Sequence, residues 1–65
     1  MRVDRYKLLV KMAQKDLTTI RLAELAGLSR MTISSIRSGK TCSIQTANKL
    51  ARALNVDVTE LLKED

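Results

Sequence analysis

The residue types that carry most catalytic chemistry are scarce in this 65-residue sequence. It contains no histidine and one cysteine, Cys42, so the chain cannot form an internal disulfide or a closed zinc site of nitrogen and sulfur ligands. It has no glycine-rich phosphate loop, and helix capping explains Asp57 and Glu60, the nearest candidates for a carboxylate pair. We therefore expect no enzyme activity, no metal and no cofactor.

Positive charge is the distinctive chemical feature of the sequence. The formal net charge is +5, and four of the seven acids lie at or after Asp57. Between Leu25 and Val56 there is no acid, and the bases in that stretch are Arg30, Arg37, Lys40, Lys49 and Arg52. A stretch of one sign in a folded domain is typical of polyanion binding, although basic helix faces are often only solvated surface. For Lys49 and Arg52 the solvated face is the preferred interpretation.

The elements that position these charges are predicted to be helices. With no proline and two glycines, the sequence favours helices joined by short turns. Residues of favoured N-cap type mark five helix starts: Asp4, Thr18, Ser29, Ser43 and Asp57. Four of these starts carry a hydrophobic staple: Val3–Leu8, Leu17–Leu22, Leu28–Ile33 and Val56–Leu61. We predict an all-α fold, one domain over residues 1–65, in which five helices of about 7–11 residues share one core.

The 3.6-residue period assigns an inward face to each helix. In chain order these faces comprise Leu8, Leu9 and Met12; Leu22, Ala23 and Ala26; Ile33 and Ile36; Ile44, Ala47, Leu50, Ala51 and Leu54; and Leu61 with Val58 or Leu62. Gly27 is expected to adopt the positive φ of a tight turn between helices two and three. The outward side of helix three, about Arg30 to Arg37, is then compact, polar and free of acids, and comprises Arg30, Met31, Thr32, Ser34, Ser35 and Arg37.

In order and spacing these residues resemble the lambda Cro/C1-type helix-turn-helix regulators, also called the XRE family. The resemblance covers nearly the whole chain and rests on Leu22-Ala23-Glu24, Ala26-Gly27-Leu28-Ser29, Thr32-Ile33-Ser34, Ile36, Ser38-Gly39-Lys40, the run from Lys49 to Val56, and Glu60-Leu61-Leu62. It implies a compact five-helix lambda-repressor-like domain whose helices two and three form the helix-turn-helix. The implied function is sequence-specific binding of double-stranded DNA by a transcriptional regulator of the repressor type, with helix three in the major groove.

The resemblance also implies roles for single residues. Arg30, Met31 and Ser35 are expected to contact base edges, since arginine bonds guanine bidentately, serine bonds either base type and methionine offers apolar contact to a thymine methyl. Thr32 and Ser29 are expected at the edge of this set, with pure capping an equal alternative for Ser29. Phosphate contacts are expected from Thr18, Thr19, Arg21, Arg37, Ser38, Gly39, Lys40, Thr41 and Ser43.

The sequence departs from the family pattern at two places. Thr19 stands where the family usually has a glutamine that braces helix two against phosphate and the recognition helix. Arg37 stands where many relatives have an acid, and Met12 where they have the arginine that pairs with it. Apolar packing in place of a buried ion pair can be neutral or stabilising. We hypothesise that Met12 packing replaces the pair and frees Arg37 to point toward the DNA backbone; pairing of Arg37 with Asp16 is the alternative.

A single short recognition helix reads few base pairs, so the resemblance implies a homodimer on a two-fold-symmetric operator. The expected dimer surface is the C-terminal apolar set Val56, Val58, Leu61 and Leu62, for which core packing is the alternative role. The acids near it, Glu64 and Asp65 among them, would keep that surface off DNA.

The sequence also bears on location and on other partners. No apolar run is long enough to span a membrane, and charges occupy the start where an export signal needs an apolar stretch. We expect a cytoplasmic protein of bacterial, phage or mobile-element origin, with no membrane partner and no small-molecule effector. The competing function is a protein-interaction module, such as an antitoxin or accessory factor, whose helix-turn-helix binds a protein partner.

Overall fold

The computed structural model describes residues 2–63, and its regular secondary structure over that range is helical apart from one isolated bridge. Four α-helices follow one another: α1 over Arg5–Gln14, α2 over Thr19–Ala26, α3 over Arg30–Arg37 and α4 over Ile44–Leu54. A three-residue 3₁₀ helix over Val58–Glu60 follows α4, and we call it the 3₁₀ turn. The prediction of an all-α fold is confirmed. The predicted domain limits at residues 1 and 65, and the acids Glu64 and Asp65, lie outside the described residues.

A side chain caps each predicted helix start. The caps are the five residues that the sequence predicts: Asp4, Thr18, Ser29, Ser43 and Asp57. Glu60 reaches back to the Asp57 backbone N–H at 3.0 Å and completes the predicted capping box. These bonds pair N–H groups that the first turn of a helix leaves without a partner, so the helix starts are set by local chemistry.

The turn between α2 and α3 has the conformation that the sequence predicts. Gly27 adopts φ of 68°, and its N–H is bonded back to the carbonyls of Ala23 and Glu24. The Leu28 N–H donates to the Ala23 carbonyl at 2.9 Å, which closes the end of α2. A Cβ at Gly27 would meet no atom within 4 Å, so the need for glycine is conformational and not spatial.

One apolar core joins the four helices and the 3₁₀ turn, and it contains most of the predicted inward residues. The buried members are Val3, Leu8, Met12, Leu22, Ala23, Ala26, Ile33, Ile36, Ala47, Leu50, Ala51, Leu54 and Leu61. Two inward assignments were wrong. Leu9 is 37% exposed because it lies about 100° around α1 from Leu8, and Ile44 is 45% exposed at the first position of α4, beyond the covered part of its stripe.

The predicted fifth helix is shorter than expected, and the cause is a competing set of backbone bonds. Leu62 forms an antiparallel bridge with Val3. The Leu61 carbonyl accepts from the Asp4 N–H at 2.7 Å, and the Lys63 N–H donates to the Arg2 carbonyl at 3.0 Å. A longer helix would need these same groups for its own i to i−4 bonds. The helix therefore ends after one 3₁₀ turn, and residues 61–63 pair with residues 2–4 through their backbones.

No helix within residues 2–63 is both long enough and apolar enough to cross a membrane.

The two carboxylates of the capping box are expected to make the stability of the fold depend on pH. The Thr59 N–H and hydroxyl donate to the Asp57 carboxylate at 2.9 and 2.8 Å, and they hold the pKa of Asp57 below its usual value. The pKa of Glu60 is also lowered. The larger cause is the hydrogen bond from the Asp57 N–H, and the second is the Lys11 ammonium group, which lies 3.2 Å from the Glu60 carboxylate. With folded-state pKa values below the unfolded ones of about 4, the ionised groups stabilise the fold above that pH. This stabilisation is lost as the pH falls through the folded-state values.

Replacing both carboxylates by amides, in the variant Asp57→Asn with Glu60→Gln, is expected to flatten the acid dependence of stability. The amides keep hydrogen-bond acceptors at both positions, so the 3₁₀ turn remains capped while the titrating charge is gone. The free energy of unfolding, measured by urea titration between about pH 7 and pH 3, should fall less than in the wild type. The matched control is Asp16→Asn with Glu24→Gln, which removes two acids outside the box. The prediction would be contradicted if the free energy of unfolding fell equally with pH in the two double variants.

Candidate nucleic-acid interface

The outer face of α3 is an exposed surface of mostly polar residues on the helix-turn-helix. Arg30, Ser34 and Arg37 are exposed, and Met31 is 81% exposed, although apolar side chains of that size are commonly buried. Ile33 and Ile36 on the opposite face are buried, which fixes the rotation of the helix. Thr32 and Ser35 are half-buried at the edges of the face. The predicted extent of the helix, Arg30 to Arg37, is confirmed.

Ser29 and Thr32 are already hydrogen-bonded to each other at the start of α3. The Ser29 Oγ accepts from the Thr32 backbone N–H at 3.1 Å, and the two hydroxyl oxygens are 2.8 Å apart. The capping role of Ser29 is therefore present in the structure. A hydroxyl carries one donor and two acceptor positions, so this pair keeps a remaining position for an external group.

Arg37 bonds Thr19 across the helix-turn-helix. Its Nη1 donates to the Thr19 Oγ1 at 2.7 Å and so links the end of α3 to the start of α2. Met12 is 6% exposed and packs in the core, as the hypothesis about the lost ion pair requires. Among residues 2–63, Arg37 forms no ion pair with Asp16, so the structure does not contain the alternative pairing. The guanidinium group keeps donors beyond the one that Thr19 accepts.

The first turn of α2 contains the other predicted anion ligands of that helix. The Thr18 Oγ1 accepts from the Arg21 N–H at 3.1 Å and caps the helix. The Arg21 guanidinium lies 3.7 Å from the Glu24 carboxylate in an exposed pair. The positive charge of Arg21 is therefore partly offset by its neighbour, whereas Arg37 faces a neutral hydroxyl.

The segment from Ser38 to Ser43 forms the turn between α3 and α4, and its residues are exposed apart from the half-buried Gly39 and Cys42. The Ser38 Oγ donates to the Ser35 carbonyl at 2.7 Å, and the Lys40 N–H donates to the same carbonyl at 3.1 Å. Gly39 adopts φ of 98°. The side chains of Lys40 and Thr41 are exposed, and Ser43 caps α4 with its Oγ 3.0 Å from the Thr46 hydroxyl.

Three further cations lie beside this turn, and reasoning from the sequence missed them. Arg2, Arg5 and Lys63 line one small open depression together with Gly39. Nothing in the local sequence signals the grouping, because Lys63 is about 60 residues from Arg2 and Arg5, and backbone pairing around Val3 and Leu62 brings these segments together.

The predicted dimer surface is divided between the core and the outside. Leu61 is 0% exposed and belongs to the core, so its side chain has no surface to offer a partner. Val56 and Val58 are half-buried and pack against the core, and Leu62, which forms the bridge with Val3, is half-buried. The apolar area open at this end of the molecule is therefore smaller than the sequence suggests.

Comparison with known proteins gives a consistent family match. The model of the Cro/C1-type HTH DNA-binding domain matches residues 7–64. The chain is similar to the restriction-modification controller protein C.AhdI from Aeromonas hydrophila, at 30% identity and a TM-score of 0.84, over 89% of each chain. No curated protein matches the chain.

A second group of similar structures consists of much longer chains. A mutant of hydroxyethylphosphonate dioxygenase has a TM-score of 0.88 and 30% identity over 98% of this chain. Native PhpD with cadmium atoms has a TM-score of 0.85 at the same identity and the same coverage. The present chain spans only 14% of the length of each of these proteins.

Proposed function

The chain belongs to the Cro/C1-type helix-turn-helix DNA-binding domain family, and we propose that it is a transcriptional regulator that represses by binding double-stranded DNA sequence-specifically. The observation that carries the proposal is the outer face of α3, which is exposed, free of acids and held in one rotation by two buried isoleucines. A helix so held can enter the major groove with its polar face toward base edges. The similarity to a restriction-modification controller protein along most of both chains supports a regulatory role.

In this proposal Arg30, Met31 and Ser35 contact base edges. Arg30 and Met31 begin the helix and are exposed, which suits the N-terminal end of a recognition helix. Ser29 and Thr32 act at the margin of the site, where their mutual hydrogen bond caps the helix and holds both hydroxyls in place. Base recognition thus combines the bidentate donors of Arg30, the apolar contact of Met31 and the hydroxyl of Ser35, with the bonded hydroxyls of Ser29 and Thr32 at the margin.

The phosphate contacts in this proposal come from two groups of residues. The first joins the start of α2 to the end of α3 and comprises Thr18, Thr19, Arg21 and Arg37. The second is the turn before α4 and comprises Ser38, Gly39, Lys40, Thr41 and Ser43. The bond from Arg37 to Thr19 supports a direct role of Arg37, because it holds an unneutralised guanidinium group at the start of α2.

The proposed regulator acts in the cytoplasm as a homodimer on a two-fold-symmetric operator, at its own or a neighbouring promoter. The remaining candidates for the contact between subunits are Val56, Val58 and Leu62, because Leu61 is buried in the core. We propose no enzyme activity. The dioxygenase chains contain a region similar to this fold within a much longer protein, and a protein-interaction module is the second candidate function that we propose.

Selection of bound duplexes from a random DNA pool tests the proposed function, because the operator sequence emerges from the selection itself. We expect a two-fold-related motif that is preferred over scrambled DNA by about a thousandfold. If no motif is enriched and only weak, salt-sensitive binding remains, the DNA proposal fails and protein docking becomes the better account.

Two variants then separate base contacts from phosphate contacts. Arg30→Ala should cost about 1–3 kcal/mol on the selected operator and relax selectivity at one base position. Lys40→Ala should weaken binding to operator and scrambled DNA alike and reduce the salt slope by about one. Lys49→Ala serves as the matched control for lost charge. A uniform effect of Arg30→Ala on all sequences would remove it from the base-reading set.

Arg37→Ala is expected to weaken DNA binding while leaving thermal stability unchanged. The Arg37 side chain is exposed and, among residues 2–63, bonds only the Thr19 hydroxyl, so its removal creates no cavity. Affinity and salt slope are measured by titration of the operator duplex, and stability by thermal unfolding. Arg52→Ala removes the same charge from the face of α4 and is the control. A large loss of stability with normal DNA binding would show that Arg37 is structural.

The dimer proposal predicts that Val58→Asp with Leu62→Asp shifts the sedimentation of the protein toward the monomer. A charge at these half-buried positions is costly in an apolar contact between subunits. Circular dichroism of the same variant shows whether the monomer stays folded, and Val10→Asp on the exposed side of α1 is the matched control. A folded variant that keeps the wild-type sedimentation, alone and on operator DNA, would exclude this surface.

A further inference from the structure

We propose that Arg2, Arg5 and Lys63, here called the chain-end cluster, form a second phosphate-binding surface that holds the backbone of double-stranded DNA beside the α3 contact. The inference rests on the proposed function and extends it to residues that none of the sequence motifs include. Its ligand is the phosphodiester backbone, so it adds affinity without reading bases.

The backbone fixes the position of the cluster. The Asp4 N–H donates to the Leu61 carbonyl at 2.7 Å, and the Lys63 N–H donates to the Arg2 carbonyl at 3.0 Å. Val3, between Arg2 and Asp4, is buried in the core. The two ends of the described chain are therefore held side by side, and the side chains of Arg2 and Lys63 project from adjacent backbone positions.

The cluster has a surplus of positive charge. Within residues 2–63, neither Arg2 nor Lys63 forms an ion pair, and both are exposed. The Arg5 guanidinium lies over the Tyr6 ring, 5.1 Å from its centroid, and its Nη2 donates to the Tyr6 hydroxyl at 3.3 Å. The one acid that lines the depression, Asp4, accepts two backbone N–H bonds at the start of α1. Like charges on paired backbone segments are destabilising, and a bound phosphate would offset the repulsion between Arg2 and Lys63.

The cluster continues the phosphate-binding turn that follows α3. Gly39, between the proposed ligands Ser38 and Lys40, lines the same open depression of about 150 Å³. A Cβ at Gly39 would meet no atom within 4 Å, so a phosphate has room to approach the backbone there. DNA is the favoured occupant because the turn and the cluster form one continuous surface, and successive phosphates of one strand are regularly spaced.

The test compares two double variants that remove the same charge from different faces. Arg2→Ala with Lys63→Ala is expected to lower the affinity for operator and scrambled DNA by the same factor, about tenfold at low salt, and to reduce the salt slope by nearly two. Lys49→Ala with Arg52→Ala, from the exposed side of α4, should change either affinity by less than about twofold. The full chain is used, so that any effect of Glu64 and Asp65 is included in each measurement.

A charge-preserving variant and a stability measurement complete the design. Arg2→Lys with Lys63→Arg should restore the salt slope, because phosphate binding here depends on charge. Thermal unfolding of the alanine variant should match the wild type, since the bridge uses only backbone atoms of these residues. Equal DNA binding by the two alanine double variants would overturn the proposal. It would also be overturned if Arg2→Ala with Lys63→Ala weakened binding to anionic vesicles more than binding to DNA. If the wild type selects an operator that the alanine variant of the chain-end cluster binds equally well, phosphate binding by the cluster is refuted and the proposed function stands.

Discussion

The burial of Ile33 and Ile36 is the constraint on which the rest of the molecule depends. Helix α3 has eight residues, and these two are its only buried side chains. A helix of that length is not stable alone in water, so it exists because its isoleucines fit the core. Burying one such side chain contributes about 1.5–3 kcal/mol. Because they lie three residues apart, their burial turns the other side of the helix to solvent, and the candidate interface is that exposed side.

The helix starts and the turn at Gly27 could be predicted from the sequence because local chemistry decides them. A capping oxygen acts on an N–H two or three residues away, and a left-handed residue acts on the end of its own helix. The length of the last helix could not be predicted in this way. The predicted start at Asp57 is correct, but the residues after Glu60 bond to the N-terminal segment. No local pattern at Leu61 or Leu62 signals such a distant partner.

The same distinction applies to the candidate interface. Its central part, the outer face of α3, followed from helical periodicity within one short segment. The contact from Arg37 to Thr19 joins residues 18 positions apart, and the identity of either residue alone did not indicate it. The grouping of Arg2, Arg5 and Lys63 depends on the packing of both chain ends. Exposure of Leu9 and Ile44 likewise reflects what the neighbouring helices cover, which periodicity does not describe.

Many polar groups of the candidate interface are already hydrogen-bonded within the protein, and this arrangement affects how DNA would be bound. Ser29 is bonded to Thr32, Ser38 to the Ser35 carbonyl, and Arg37 to Thr19. Each bond restricts side-chain rotation before a ligand arrives, and association costs less entropy when rotamers are already restricted. The bonds also leave further donors or acceptors on each group, so restriction does not remove the capacity to bind. A domain of this size has little core with which to hold flexible side chains, and capping hydroxyls that also face the ligand serve stability and recognition with the same atoms.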